Sequence, residues 1–207
     1  MLKIIVEGND KIFIEKFISL KLAKTKDVDF EVINAGGWTT LNLLSAKLNE
    51  FTDSGDKICL VFDSDTSQNQ GGFAIRLKQL QEKISELGVK LGKTINVEIF
   101  LWPNNNQDGD FEVVLEEISN NKRKVIYSCF NDYESCIQTK LDANSLTYNL
   151  PLRKSRIFAY TETLPESKTK KKNIEWKTGD YLFEKIDYWD LDSAFLKPLH
   201  DFLSVRL

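Results

Sequence analysis

The chain has 207 residues, of which 42% are apolar and 29% charged, with a formal net charge of −3. That length fits one domain, or one domain with a small appendage, and the apolar share suffices for a substantial core. No apolar stretch reaches the ~18 residues of a membrane-spanning helix, and no export signal opens the chain, so a cytoplasmic protein with no membrane association is expected.

Leu2 to Glu7 reads as a strand whose unbroken apolar character suits a sheet covered on both faces. Asp10 to Leu22 follows as an amphipathic helix, with Ile14, Phe17, Ile18 and Leu22 at helical spacing and Asp10 near its first turn. Asp29 to Asn34 is a second strand, ended by Ala35-Gly36-Gly37, and Trp38 to Leu48 is a helix presenting Leu41, Leu44 and Leu48. Lys57 to Phe62 is the third strand. The polar loop from Thr66 to Gly72 then leads into a helix from Phe73 to about Leu87. Ile95 to Leu101 is the fourth strand, and a loop with strong turn chemistry, Asn104 to Asp110, precedes a helix over Phe111–Ile118. This rhythm predicts an α/β fold, a Rossmann-like parallel sheet of about four strands flanked by helices.

After residue 120 the pattern loosens. Tyr133 to Thr139 and Ile157 to Thr161 look helical, and a lysine-rich loop lies around residues 166–173. The tail from Leu191 to Leu203 carries Phe195, Leu199 and Phe202 at helical spacing. The expected organisation is a core over 1–120 and a helical or irregular C-terminal extension, 121–207, packed on it.

Several residue types argue against particular chemistries. Cys59 falls in an apolar strand, Cys129 and Cys136 are too far apart for a metal knuckle, and the one histidine, His200, is remote, which argues against zinc and against Ser-His-Asp or Cys-His catalysis. Basic residues crowd at Lys168, Lys170, Lys171, Lys172 and Lys177 and again at Lys122, Arg123 and Lys124; such runs serve as solvated faces or as phosphate contacts. Gly36-Gly37 and Gly71-Gly72 fit no phosphate-loop pattern and read as tight turns. Arg76, just beyond the second pair, either reaches a phosphate or makes a surface salt bridge. Trp38, Trp102, Trp176 and Trp189 read as core rather than as platforms for bases.

The acidic residues are the informative ones. Glu7 follows the first strand, and Asp63-Ser64-Asp65 ends the third. In open α/β sheets the functional crevice lies beyond the carboxyl ends of the strands, so these carboxylates converge on one edge. Strand periodicity places residues 63 and 65 on the same side, where two carboxylates repel unless a cation relieves them. Magnesium takes one or two carboxylates together with waters and substrate phosphates, which points to phosphate chemistry.

Glu7-Gly8 after one strand and Asp63-Ser64-Asp65 after a later one resemble the Toprim family, the catalytic domain shared by topoisomerases, bacterial primases and several nucleases. The resemblance implies acid/base work for Glu7 and magnesium binding by Asp63 and Asp65. Val6-Glu7-Gly8-Asn9-Asp10 is similar to the opening of small stand-alone Toprim-like proteins related to the overcoming-lysogenization-defect (OLD) nucleases, which makes Asp10 a second-metal ligand. Asp108-Gly109-Asp110-Phe111-Glu112 is similar to their later Gly-x-x-Glu segment and adds Glu112 to the metal set. Lys154, ahead of Ile157-Phe158-Ala159-Tyr160, resembles their late lysine, implied to stabilise the transferred phosphate. The likeness covers residues 1–115 well and the remainder thinly, and Asn9 stands where relatives often carry a charge. The chain has no P-loop, so the ATPase domain that accompanies Toprim in OLD nucleases is not in it. A separate ATPase partner supplies that function, or the protein acts alone.

The expected function is phosphoryl transfer in nucleic acid, DNA ahead of RNA, as an endonuclease or nicking enzyme using one or two Mg²⁺ or Mn²⁺ ions. The alternative is a non-catalytic or partner-dependent binding or regulatory module on the same fold.

Overall fold

The four apolar runs form one parallel sheet in a computed structural model of the protein, which describes residues 1–23, 29–67, 71–165 and 179–207. Its strands are β1 (Leu2–Val6), β2 (Phe30–Asn34), β3 (Lys57–Asp63) and β4 (Val97–Trp102), in the order β2-β1-β3-β4. Val6 lies opposite both Asn34 and Val61, and Asp63 lies opposite Trp102. The chain leaves β1 for one side and returns to its other side at β3. The order therefore reverses at β1, and the crevice at the carboxyl ends of β1 and β3 is the switch point where such sheets bind ligands.

Alternate side chains explain why these runs lack a polar face. Ile4, Val6, Cys59, Val61, Phe100 and Trp102 enter one core, while Ile5, Leu60, Phe62 and Leu101 enter the other. The second core is closed by a 3₁₀ turn (Trp38–Leu44), by α2 (Ser45–Asp53) and by α3 (Phe73–Leu91), through Leu41, Leu48, Phe51, Leu80, Ile84 and Leu87. The helix expected over Trp38–Leu48 thus begins as 3₁₀. The Thr40 hydroxyl donates to the carbonyls of Ala35 and Gly37, competing with α-helical bonding at the start.

The first core is covered by α1 (Lys11–Phe17), which continues as a π-helical turn over Ile18–Leu22, and by α4 (Phe111–Ile118). Asp110 caps α4 by accepting the Val113 N–H at 3.1 Å, which explains its sharp start. The last third of the chain completes this side. It contains α5 (Val125–Ala143), α6 (Arg153–Glu162), a 3₁₀ turn (Ala194–Leu196) and α7 (Lys197–Ser204). Tyr127, Ile157, Tyr160, Trp189, Leu199 and Leu203 share one cluster with β1 and α1. α5 is far longer than the helix expected over Tyr133–Thr139. Only Tyr127 of it is buried, so most of its turns carry no apolar stripe to read. Among the described residues no helix is long and apolar enough to cross a membrane.

The extension also reaches the β1–α1 loop. Gly179 adopts φ +75°, and a Cβ there would lie 2.1 Å from the Asn9 carbonyl oxygen, whereas a Cβ on Gly8 in that loop would meet nothing within 4 Å. Gly179→Ala is therefore expected to cost about 2 kcal/mol or more, and Gly8→Ala less than about 0.5 kcal/mol. Urea unfolding of the two variants checks the contrast; equal midpoints would remove the close approach as its cause.

Candidate active site at the carboxyl edge of the sheet

Glu7, Asp10, Asp63, Glu112 and Lys154 line one cleft of about 390 Å³ at the switch point, with Gly8, Gly36 and Gly37 in its wall. A larger groove of about 1030 Å³ lies between α3 and the outer edge of β4, around Gly88 and Lys93, away from these five residues. We place the chemistry in the smaller cleft, where titratable groups converge.

Glu7 stands one residue past β1, and its Oε2 accepts the Asp63 N–H at 3.0 Å. The two strand ends that carry the acids are joined by that bond. Burial raises the Glu7 pKa, and the Asp63 N–H partly offsets the rise. Asp63 is the last residue of β3, half-buried, with its Oδ1 accepting the Phe111 N–H at 2.9 Å where α4 begins. Burial holds its carboxyl well above the usual carboxylate range, and the negative charges of Glu7, Asp10, Glu112 and Asp110 add to the rise. Glu112 is raised chiefly by burial, opposed by Lys154, whose Nζ lies 3.4 Å from Glu112 Oε1.

Asp10 enters the cleft wall from within the core. It is 4% exposed, with Oδ1 taking the Gly8 N–H at 3.0 Å and Oδ2 the Trp102 indole N–H at 2.8 Å. Both oxygens are committed to the loop that follows Glu7 and to the end of β4. Burial pushes its pKa up to about 6, against the pull of the Trp102 bond. A folded pKa above the unfolded value of 3.8 means that the native state takes up this proton first. The stabilisation is complete below about pH 4 and is lost as pH rises through about 6. Asp10→Asn should flatten the change in urea midpoint between pH 4 and pH 6.5, and an unaltered slope would show that Asp10 does not set it.

Asp65 and Arg76 do not line the cleft, although the charges of both act on Glu7 there. Asp65 Oδ2 lies 2.5 Å from Arg76 Nη2, and the Arg76 side chain is 3% exposed. Arg76 therefore makes the salt bridge that was one of its two readings, but a buried one rather than one at the surface. Gly71 packs against Ser64 and Asp65, leaving no room there for a substrate. Trp102 and Trp189 are fully buried, Trp38 is packed beneath Arg76, and Trp176 lies outside the described residues, as do the five lysines between 168 and 177. Of the second basic group, Arg123 donates to the Asp187 carbonyl at 3.1 Å and Lys124 to that of Glu117 at 3.0 Å. The residue that sequence reasoning passed over is Trp102 as the partner of Asp10. A tryptophan at the strand end opposite Asp63 was the available signal.

Residues 2–205 match the model of a family described as Protein of unknown function (DUF3226). The chain belongs to the DUF3226 family. No curated protein and no solved structure matches it.

Among the described residues no group of three histidine, cysteine or acidic side chains is arranged to hold an ion, so there is no preformed cage of the zinc or calcium type. Two half-buried carboxylates, Glu7 and Asp63, share a cleft, and the negative charge of Glu7 adds to the proton affinity of Asp63. Magnesium, which keeps several waters and uses one or two carboxylates with substrate phosphates, matches that set. Open space above Gly8 leaves room for those waters.

Proposed function

We propose that the protein is a magnesium-dependent enzyme of Toprim type, related to the OLD nucleases, that cleaves phosphodiester bonds in nucleic acid as an endonuclease or nicking enzyme. The observation that carries this reading is the bond from the Asp63 N–H to the Glu7 carboxylate, which ties Glu7 to the end of β3 in the cleft that both acids line at the switch point of the sheet. Glu7 and Asp63 would hold Mg²⁺, which when bound polarises a phosphate oxygen and makes water a better nucleophile. The Glu7 carboxyl, already raised in proton affinity by burial, is placed to take a proton from the attacking water. Lys154 is 61% exposed at its side chain, so its ammonium can exchange Glu112 for a phosphate oxygen and balance developing charge.

Supercoiled DNA is the first substrate to test, with RNA second. The purified chain with Mg²⁺ or Mn²⁺ should convert plasmid to open circles, and chelation should stop it. Intact plasmid with both metals would end the enzymatic reading. The second reading is a binding or regulatory module active only with a partner, such as a separate ATPase. The net charge of −3, which gives no overall attraction to a phosphate backbone, favours it, and it requires that no metal elicits cleavage by the chain alone.

A further inference from the structure

β4 is an edge of the sheet, and only part of that edge is closed. The Trp102 carbonyl accepts the Ser64 N–H, so Trp102 faces β3 and Leu101 before it faces outward. There Leu101 donates its N–H to Asn105 Oδ1 at 3.0 Å and its carbonyl accepts the Asn105 N–H at 2.7 Å. By the same alternation Val97 and Ile99 face outward, and among the described residues neither backbone has a partner on that side. Free edges invite pairing, and proteins blunt them with lysine, proline or a bulge. Val97-Glu98-Ile99 carries none of these. Its one charge, Glu98, is paired with Arg206 on the side where Phe202 of α7 meets Phe100. On the α3 side, beside the half-buried Val97 and Ile99, lies the groove of about 1030 Å³, which runs some 22 Å along α3 from Leu77 to Gly92. Val89 in its wall is 82% exposed.

One antiparallel register satisfies both open residues and leaves Leu101 to Asn105. It sets Val97 against Ile99 of the partner subunit and Ile99 against the partner's Val97, about a two-fold axis through Glu98. The same axis brings the two Glu98 side chains within about 5 Å at Cβ, a repulsion that needs opposite charge beside it. Arg206 supplies that charge in each copy, so the two ion pairs are complementary across the axis. A short strand pair buries much less than the ~1,200 Å² of a stable interface, so the two α3 helices have to add area through Val89 and the groove.

We infer that the open edge of β4 is a self-association surface, where two copies of this chain join antiparallel through Val97–Ile99 and extend the four-stranded sheet to eight strands. The inference is independent of the phosphoryl-transfer reading, since the groove and the cleft share no lining residue.

The test is sedimentation velocity of the intact chain from about 5 to about 500 μM, where monomer should pass to dimer as a small interface requires. Over the same range, hydrogen exchange at the Val97 and Ile99 amides should slow by at least about tenfold. Val89→Lys changes a residue already in solvent and should weaken association by more than about tenfold. Arg206→Gln leaves two carboxylates unbalanced at the axis and should weaken it by a similar factor, and Glu98→Gln/Arg206→Gln should recover to within about threefold of native. Near-UV circular dichroism reports whether the Arg206 variants keep their fold, and the amides of the native chain decide the matter if they do not. A native chain still monomeric at about 500 μM would overturn the inference, as would a dimer whose Val97 and Ile99 amides exchange at the monomer rate. A well-folded double variant no better than Arg206→Gln would overturn the register about Glu98.

Discussion

Asp63→Asn is expected to lower metal-dependent nicking by on the order of 10³-fold while leaving the protein more stable than before. The loss follows from removing one of the two carboxylates proposed to face a cation, worth about 4 kcal/mol of charge stabilisation in the transition state. The gain follows from the same geometry. Asp63 is half-buried among Glu7, Asp10, Glu112 and Asp110, and its raised pKa records the strain of ionising there. Asparagine keeps an oxygen for the Phe111 N–H and sheds the charge, so a stabilisation of about 1 kcal/mol is expected. Plasmid nicking and urea midpoints at neutral pH measure the two effects. A variant that cleaves at the native rate, or one that is less stable, would show that Asp63 serves packing rather than chemistry.

Trp102→Ala is expected to be the most destabilising change near the site, at about 3–5 kcal/mol. Its ring is fully buried, packed against Phe13 at 5.9 Å, Phe100 at 5.4 Å and Phe111 at 5.2 Å between centroids. Truncation leaves a cavity between β4, α1 and α4 and takes from Asp10 the donor that partly offsets its burial. Against a typical stability of about 5–15 kcal/mol that is a large fraction. Trp102→Phe keeps most of the ring contacts and loses only the N–H, so it should cost about 1–3 kcal/mol. Chemical unfolding of the pair separates packing from hydrogen bonding; an alanine variant within 1 kcal/mol of native would discard the packing account.

The sheet and its crevice were legible because buried parallel strands carry continuous apolar runs that stop at turn residues, as Leu2–Val6 and Lys57–Asp63 do. α4 was legible to the residue because Asp110 caps it. Strand periodicity misled beyond Asp63, where it put Asp65 beside Asp63. The strand had ended, and a residue at positive φ obeys turn geometry instead. The partners of Asp10 and Arg76 were not legible for one reason. Trp102 and the stacked Trp38 come from distant strands and turns that only tertiary structure brings near. α5 was under-read because an exposed helix leaves little hydrophobic period in its sequence.

Lys154 and part of the aromatic cover on one face of the sheet, Tyr160, Phe183 and Trp189 among it, come from the last third of the chain. During synthesis the ribosome therefore releases all four strands and both proposed cation-holding acids well before the lysine-bearing wall exists. A nascent polypeptide at that stage has that sheet face only partly covered, by α1 and α4, and leaves the remainder of the apolar cluster open to water. On the proposed function, the ammonium that would face a phosphate arrives only when the closing helices dock, so the order of translation would withhold activity from the unfinished protein.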